Sequence, residues 1–432
     1  MSCFRTTACF LAIATSLTLP AQTPKVDNST IHGKVLVGYQ GWFRCPGDGS
    51  PLNVSSHWWN ETPAPPHPDT DFYPDTSEYS KASLCTLPGH TIHGKPAQIF
   101  SSYPKETTQL HFAWMRQYGI DGVLLQRFIN RIPEYKSEHD QVLRNAIAAA
   151  EQNGRVLIVE YDLTGGVPTK LLPTLKEDWE YLNKEFKIAQ SPAYLKQDGK
   201  PIVSIWGLGF GQKPNPAKHN PDHTTDAALA LALINYFKQD AHVTVMGGVP
   251  TGWRTLDNDS VTDPAWKSVY ASLDIVQPWA VGRYHTIEKA QQWITDRLIP
   301  DVAATKANHQ IYMPVIFPGF SWHNRHLDPP FNATPRLGGR FLWQQAFNVR
   351  SAGADAVKIA MFDEMNEGTA IFKQAPTKDD IPVEAPYVTL DADGEKLPSD
   401  WYLTVACHIG EVFHGQVKNQ SELPKAACHP LP

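Results

Sequence analysis

The chain has 432 residues, 42% of them apolar and 11% aromatic, enough to bury a large core, which excludes a mainly disordered protein. Its formal net charge of -6 offers no basic field to a polyanion, and no Lys/Arg-rich run carries interleaved aromatics, so nucleic acid is not an expected partner. Thirty-six prolines, twenty-eight glycines and thirteen tryptophans imply long, shaped loops with much aromatic surface, as a binding cleft requires.

The N-terminus sets Arg5 before an apolar run from Ala8 to Leu19 and the small residue Ala21, the pattern of a cleaved secretory signal over residues 1–21. The run is shorter than the roughly 20 residues of a membrane-spanning helix, and no other segment suits a bilayer. Beyond it stand Cys45, Cys85, Cys407 and Cys428, an even count that fits an oxidising compartment. Local pairing is expected, Cys45 with Cys85 and Cys407 with Cys428.

Val35 to Tyr39, VLVGY, reads as a buried strand. From Gln40 to about Lys105 the chain is rich in Pro, Gly, His and Trp without a sustained period, as in a long elaborated loop. Helix and strand then alternate. A helix over Thr107–Tyr118 leads to a strand over Ile120–Leu125, Ser137–Gln152 to Val156–Tyr161, and Leu175–Ile188 to Pro201–Trp206. Thr225–Lys238 leads to Val243–Gly247, and a short helix over Ala265–Ser272 to Asp274–Trp279. The helix Thr286–Ala307, kinked or broken at Pro300, precedes a strand over Ile311–Phe317. Gly339–Ala352 precedes the eighth strand, at the start of AVKIAMFDEMNEGTAIF (356–372), and Asp400–Phe413 is the final helix.

Eight such units in one domain, residues 22–432, predict a closed (β/α)8 TIM barrel with long βα loops. The alternative, an open doubly wound sheet, lacks a Gly-rich phosphate fingerprint after any early strand. Barrel active sites gather at the C-terminal strand ends. Here those ends supply Tyr39 and Trp42, Gln126 and Arg127, Glu160, Tyr161 and Asp162, then Trp206. Thr251, Trp253, Gln277, Trp279, Trp322 and His323 follow, and then Asp363, Glu364 and Glu367. Aromatic faces cover the C–H patches of a sugar ring, and amides and carboxylates hold its hydroxyls. Glycosidic cleavage further needs a proton donor and a second group at the anomeric carbon. Glu364 and Glu367 are the best pair, with Gly368 turning the loop behind them. The alternative is that these acids open a helix, favoured by its dipole. Asp363 either supports the pair or points away. His57 and Trp58 either wall the cleft or pack beneath Pro-rich turns, and Glu160 meets either substrate or Arg127.

FDEMNEGTAIF resembles the catalytic loop of glycoside hydrolase family 99, the endo-α-mannosidase-like enzymes, in which Glu-x-x-Glu-Gly-Thr follows the last barrel strand. VGYQGWF, His57–Trp59, the span Ile99–Arg131, GRVLIVEYD and VIFPGFSWHNR resemble further segments of that family in the same order. The resemblance implies that Glu364 assists the sugar's own 2-hydroxyl as nucleophile, through an anhydro intermediate, and that Glu367 acts as acid and then base. Met365-Asn366 stands where that family has Trp-His, which bears on the substrate; Asn366 is a candidate substrate contact. A related glucanase family, number 71, makes an α-glucan an alternative substrate. The expected partner is a polysaccharide or glycan alone, met by a monomer without cofactor or metal. Two rivals are a carbohydrate-binding barrel that has lost catalysis and a hydrolase holding a divalent cation at Asp363, Glu364 and Glu367.

Overall fold

The computed structural model describes residues 25–60, 67–211 and 225–429; the expected signal segment lies outside them. The barrel strands are β1 (Val35–Tyr39), β2 (Gly122–Phe128), β3 (Val156–Asp162), β4 (Lys200–Trp206), β5 (Thr244–Val249), β6 (Ile275–Pro278), β7 and β8 (Val357–Ile359). β7 is split into Ile311–Tyr312 and Val315–Ile316. Each strand pairs in parallel with the next, and β8 returns to β1 through Val35 opposite Val357. The two pieces of β7 complete the ring: Ile311 lies opposite Ile275 of β6, and Val315 opposite Lys358 of β8. Pro314, without an N–H to give a ladder, stands at the split.

The strands are buried on both faces because helices cover the outside and side chains fill the lumen. Alternation divides them. Leu36, Leu124, Ile158, Ile202, Met246 and Ile275 form one apolar cluster inside the ring. Their neighbours Val35, Val37, Val123, Leu125, Val159 and Val203 join the larger core between sheet and helices.

Above the apolar layer the lumen turns polar. Lys358 Nζ donates to Glu160 Oε2 at 2.9 Å, and both side chains are fully buried. Ser204 Oγ donates to Glu160 Oε2 at 2.9 Å and Gln126 Nε2 to Oε1 at 3.3 Å, so every heavy partner of the pair comes from another strand of the ring. Glu160 meets Lys358 and not Arg127, because Arg127 stands at an outward position one residue from Gln126.

The segment after β1 is more ordered than its sequence suggests: it contains a hairpin of Leu84–Ile92 with Lys95–Phe100. The register slips between Thr86 and Thr91, around Pro88-Gly89, which removes any readable alternation. The bridges Cys45–Cys85 and Cys407–Cys428 pair as expected. Two helices begin earlier than expected, Ile132–Asn153 and Pro168–Tyr181, each with a proline in its first turn where no N–H is missed. Pro300 causes no break. It sits in the first turn of Ile299–Ala307, which continues from Ile287–Trp293 through a widened turn at Ile294–Leu298.

Lys358→Met strands the Glu160 carboxylate in the lumen and is expected to cost about 3–5 kcal/mol of unfolding free energy. Adding Glu160→Gln should recover part of that loss, as measured by urea unfolding of the two variants.

Candidate active site

The loop after β8 is fixed from several sides before it presents any acid. Asp363 is fully buried, and its two carboxylate oxygens accept from Gln40 N at 2.8 Å and Gly41 N at 2.9 Å, which ties the end of β8 to the end of β1. With both oxygens engaged there, Asp363 does not join Glu364 and Glu367 in a three-carboxylate cluster. The chain then folds back on itself, Thr369 N and Ala370 N both donating to Glu364 O, at 3.0 and 2.9 Å. Gly368 makes the turn at φ +63°, and a Cβ there would lie 2.9 Å from Phe72 and from the Ser321 backbone. Arg336 donates to Gly368 O and Ala370 O at 2.8 and 2.9 Å. These acids therefore do not open a helix.

Glu364 Oε2 accepts from Gln40 Nε2 at 2.7 Å, whereas its Oε1 is buried and has no partner among the described residues. Glu367 is half-buried and faces the same cleft. Burial pushes Glu364 well above the usual carboxylate range, and Glu367 and Asp363 beside it add to the effect. Burial raises Glu367 as well, while Arg325 and Arg283 pull it back. Two acids so placed cannot both ionise easily, so the pair retains a proton toward neutral pH.

The cleft over these acids has a volume of about 320 Å³. Trp206 and Trp279 meet edge to face at 5.6 Å on one side, and Trp42 packs against Phe128 at 5.3 Å on the other. Gln40, Gln126, Asp162 and Arg283 supply polar groups between the aromatic walls. Burial raises Asp162 to about 6, although its Oδ1 accepts from Thr164 N at 2.8 Å. Asp259 holds Arg283 at 2.7 Å.

Of the residues expected at the site, Trp42, Gln126, Asp162, Trp206, Trp279, Glu364 and Glu367 line this cleft. The others lie elsewhere for identifiable reasons. Tyr39 and Arg127 occupy outward strand positions: Tyr39 OH meets His111 Nδ1 at 2.9 Å, and Arg127 is held by Asp178 at 2.6 Å and Asp140 at 2.9 Å. Glu160 lies in the lumen beneath the cleft. His57 lies flat on Trp42, ring centroids 3.9 Å apart, and walls a neighbouring lobe. Trp58 is core, its indole N–H donating to Phe100 O. Trp322 packs on Phe320 and His326, and His323 on Phe331. Asn366 Nδ2 donates to His57 O and to Asp69 O and Oδ2, while Met365 is fully buried.

The site also recruits Gln40, Phe128, Phe210, Arg283 and Met361, none of them singled out from sequence. Phe128 was within reach of inference, since it stands two residues beyond the inward Gln126; Asp162 bears the same relation to Glu160. Arg283 and Phe210 come from loops with no local signal.

No family model matches the chain, and no curated protein matches it in sequence. Among solved structures it is similar to the family 99 endo-α-mannosidase from Bacteroides thetaiotaomicron, with 15% identity, 89% of this chain and 99% of that chain covered, and a TM-score of 0.60. The complex of that enzyme with bis-tris-propane gives 0.62 at the same identity and coverage. A glycoside hydrolase-like protein is similar at 12% identity over 91% of this chain and 98% of that one, with a TM-score of 0.54. The chain thus has the barrel fold of these glycoside hydrolases, in line with the resemblance of FDEMNEGTAIF to a loop of family 99.

The folded protein binds the Asp162 proton more tightly than the unfolded chain does, because burial raises this carboxyl from 3.8 to about 6. Stability from this group is full below pH 3.8 and is lost as pH rises through 6. Asp162→Asn is therefore expected to gain on the wild type between about pH 4 and 7, by up to ~3 kcal/mol, in urea unfolding at the two pH values.

Proposed function

We propose that the protein is a glycoside hydrolase that cleaves an α-linked polysaccharide or glycan with retention of configuration, using Glu364 and Glu367, and that it acts outside the cytoplasm. The observation that carries this reading is the coupled pair of acids on one clamped loop, facing a cleft with tryptophans on both sides. Two disulfides suit an oxidising compartment, and among the described residues no helix is long and apolar enough to cross a membrane.

On a sugar whose O2 lies trans to the glycosidic oxygen, as in an α-mannoside, the ionised Glu364 takes the proton of the 2-hydroxyl in the first step as O2 attacks the anomeric carbon, and Glu367 gives its proton to the departing glycosidic oxygen. In the second, Glu367 deprotonates a water that reopens the anhydro ring at the anomeric carbon, and Glu364 returns its proton to O2. The start of this cycle requires the pair's proton on Glu367, whereas burial in the free protein favours it on Glu364. A hydroxyl donating to the unpartnered Oε1 of Glu364 stabilises the ionised form and moves the proton across. Gln40, bonded to the other oxygen, already favours that form.

Met365-Asn366, the departure from the family pattern, supports no argument for lost chemistry. Met365 is core and Asn366 braces the Asp69 and His57 backbones, so neither side chain lines the cleft in this protein.

Release of reducing ends should be followed on α-mannans, α-glucans and fucose- or xylose-rich polysaccharides. Wild type is expected to cleave one class, and Glu364→Gln or Glu367→Gln to lower that rate roughly 1,000-fold or more without lowering the melting temperature. Normal activity in Glu367→Gln would refute the assignment.

A further inference from the structure

Three loops, following β1, β7 and β8, meet at a single aspartate. Asp69 Oδ2 accepts from Arg325 at 2.6 Å and from Asn366 Nδ2 at 2.8 Å, and the Asp69 backbone oxygen takes Asn366 Nδ2 again at 2.9 Å. Asn366 stands between Glu364 and Glu367 in the chain, so one carboxylate oxygen joins a guanidinium to the segment that carries both acids. Arg325 approaches from the β7 side: it lies on the short helix His323–His326, and Ser321 N, just before that helix, donates to Glu367 O at 2.9 Å. The Asp69 side chain is 7% exposed and that of Arg325 35%.

Bracing alone does not account for this arrangement. The loop after β7 already has its anchor in Asp71, whose carboxylate accepts from Ser321 Oγ, from His323 N at 2.8 Å and from Asn324 N at 2.7 Å. A partly exposed ion pair adds little to stability. What Arg325 does supply is a positive charge beside two acids that burial drives toward their neutral forms, and it opposes burial at both Glu364 and Glu367. The other charged or titratable groups around the pair are Asp363, engaged by the Gln40 and Gly41 amides, and Asp162 and Arg283, which line the same cleft. His57 stays neutral, because burial lowers it to about 3. His323 and His326, on the same helix as Arg325, pack against Phe331 and Trp322.

We propose that Asp69 and Arg325 are positioning residues that set how many protons the glutamate pair holds: Arg325 keeps one glutamate ionised, and Asp69 offsets that cation enough for the other to keep its proton. The proposal rests on the reading of Glu364 and Glu367 as the reacting pair. An uncompensated guanidinium there favours loss of both protons, and with them the acid that the departing oxygen needs. Without the guanidinium both protons are retained more readily, and the base is lost.

The test is a pH titration of the Glu364 and Glu367 carboxyl carbons by NMR, in protein isotopically labelled at the glutamate side-chain carboxyls and assigned with Glu364→Gln and Glu367→Gln. Arg325→Gln is expected to raise the midpoints of the pair by about half a pH unit or more, Asp69→Asn to lower them, and Arg325→Lys to leave them near wild type. A purely structural role predicts otherwise, since a loosened loop admits water and lowers carboxyl midpoints in every variant. Melting curves show whether each variant is folded, and the partly exposed Arg325 supplies the deciding variants should Asp69→Asn fail to fold. Midpoints unmoved or lowered in Arg325→Gln, not retained in Arg325→Lys, or raised in a folded Asp69→Asn overturn the proposal. Midpoints that move as expected in a protein that cleaves no glycan support the proposal while removing the hydrolase reading. Wild-type cleavage with midpoints indifferent to both residues removes the role of Asp69 and Arg325 alone.

Discussion

Closing eight parallel strands into a ring leaves each side chain only two directions, into the lumen or out toward the helices, and this period of two governs what reaches the cleft. Gln126 and Phe128 point in, whereas Arg127 between them points out to Asp140 and Asp178. On β3, Glu160 and Asp162 point in at successive heights. The lower one is neutralised by Lys358 inside the barrel, and the upper one lines the cleft as a buried acid. One strand thus contributes both to the stability of the lumen and to the polarity of the site.

The loop that carries Glu364 and Glu367 extends this logic at the seam between the last strand and the first. Asp363 is drawn down onto the Gln40 and Gly41 amides, and the residue after it necessarily emerges on the other side, where Gln40 meets it again through its side chain. Gly368 and Arg336 then bend the chain so that Glu367 faces the same space. Burial raises both glutamates, and two arginines lean on the second. The physical product is a pair of acids with unequal surroundings that can exchange one proton, which is the requirement of a displacement using one acid and one base.

Much of the barrel is legible in the sequence because each strand is a short apolar run closed by Gly, Pro or an aromatic residue, and each helix has its own period. Strand limits differ by a few residues where the turn carries no punctuation, as before Gly122, and the helix starting at Ile132 is hidden by its own proline. The site is legible in kind: aromatic, amide and carboxylate groups at strand ends do line the cleft. Its membership is less so. Tyr39 and Arg127 have suitable chemistry at outward positions, and His57, Trp58 and Asn366 serve the loop's own packing. Arg283 arrives from a loop beyond β6, held by an aspartate twenty-four residues earlier in the chain, a contact that only the tertiary fold creates.

The anomeric course of cleavage reports most directly on what the Glu364 and Glu367 pair does. The most direct measurement is proton NMR of the reducing ends formed while the wild-type protein cleaves the α-linked glycan it selects. Appearance of the α-anomer first, followed by its slow equilibration with the β-anomer, is the predicted result. First appearance of the β-anomer, or no new reducing end from any α-linked glycan, would contradict it.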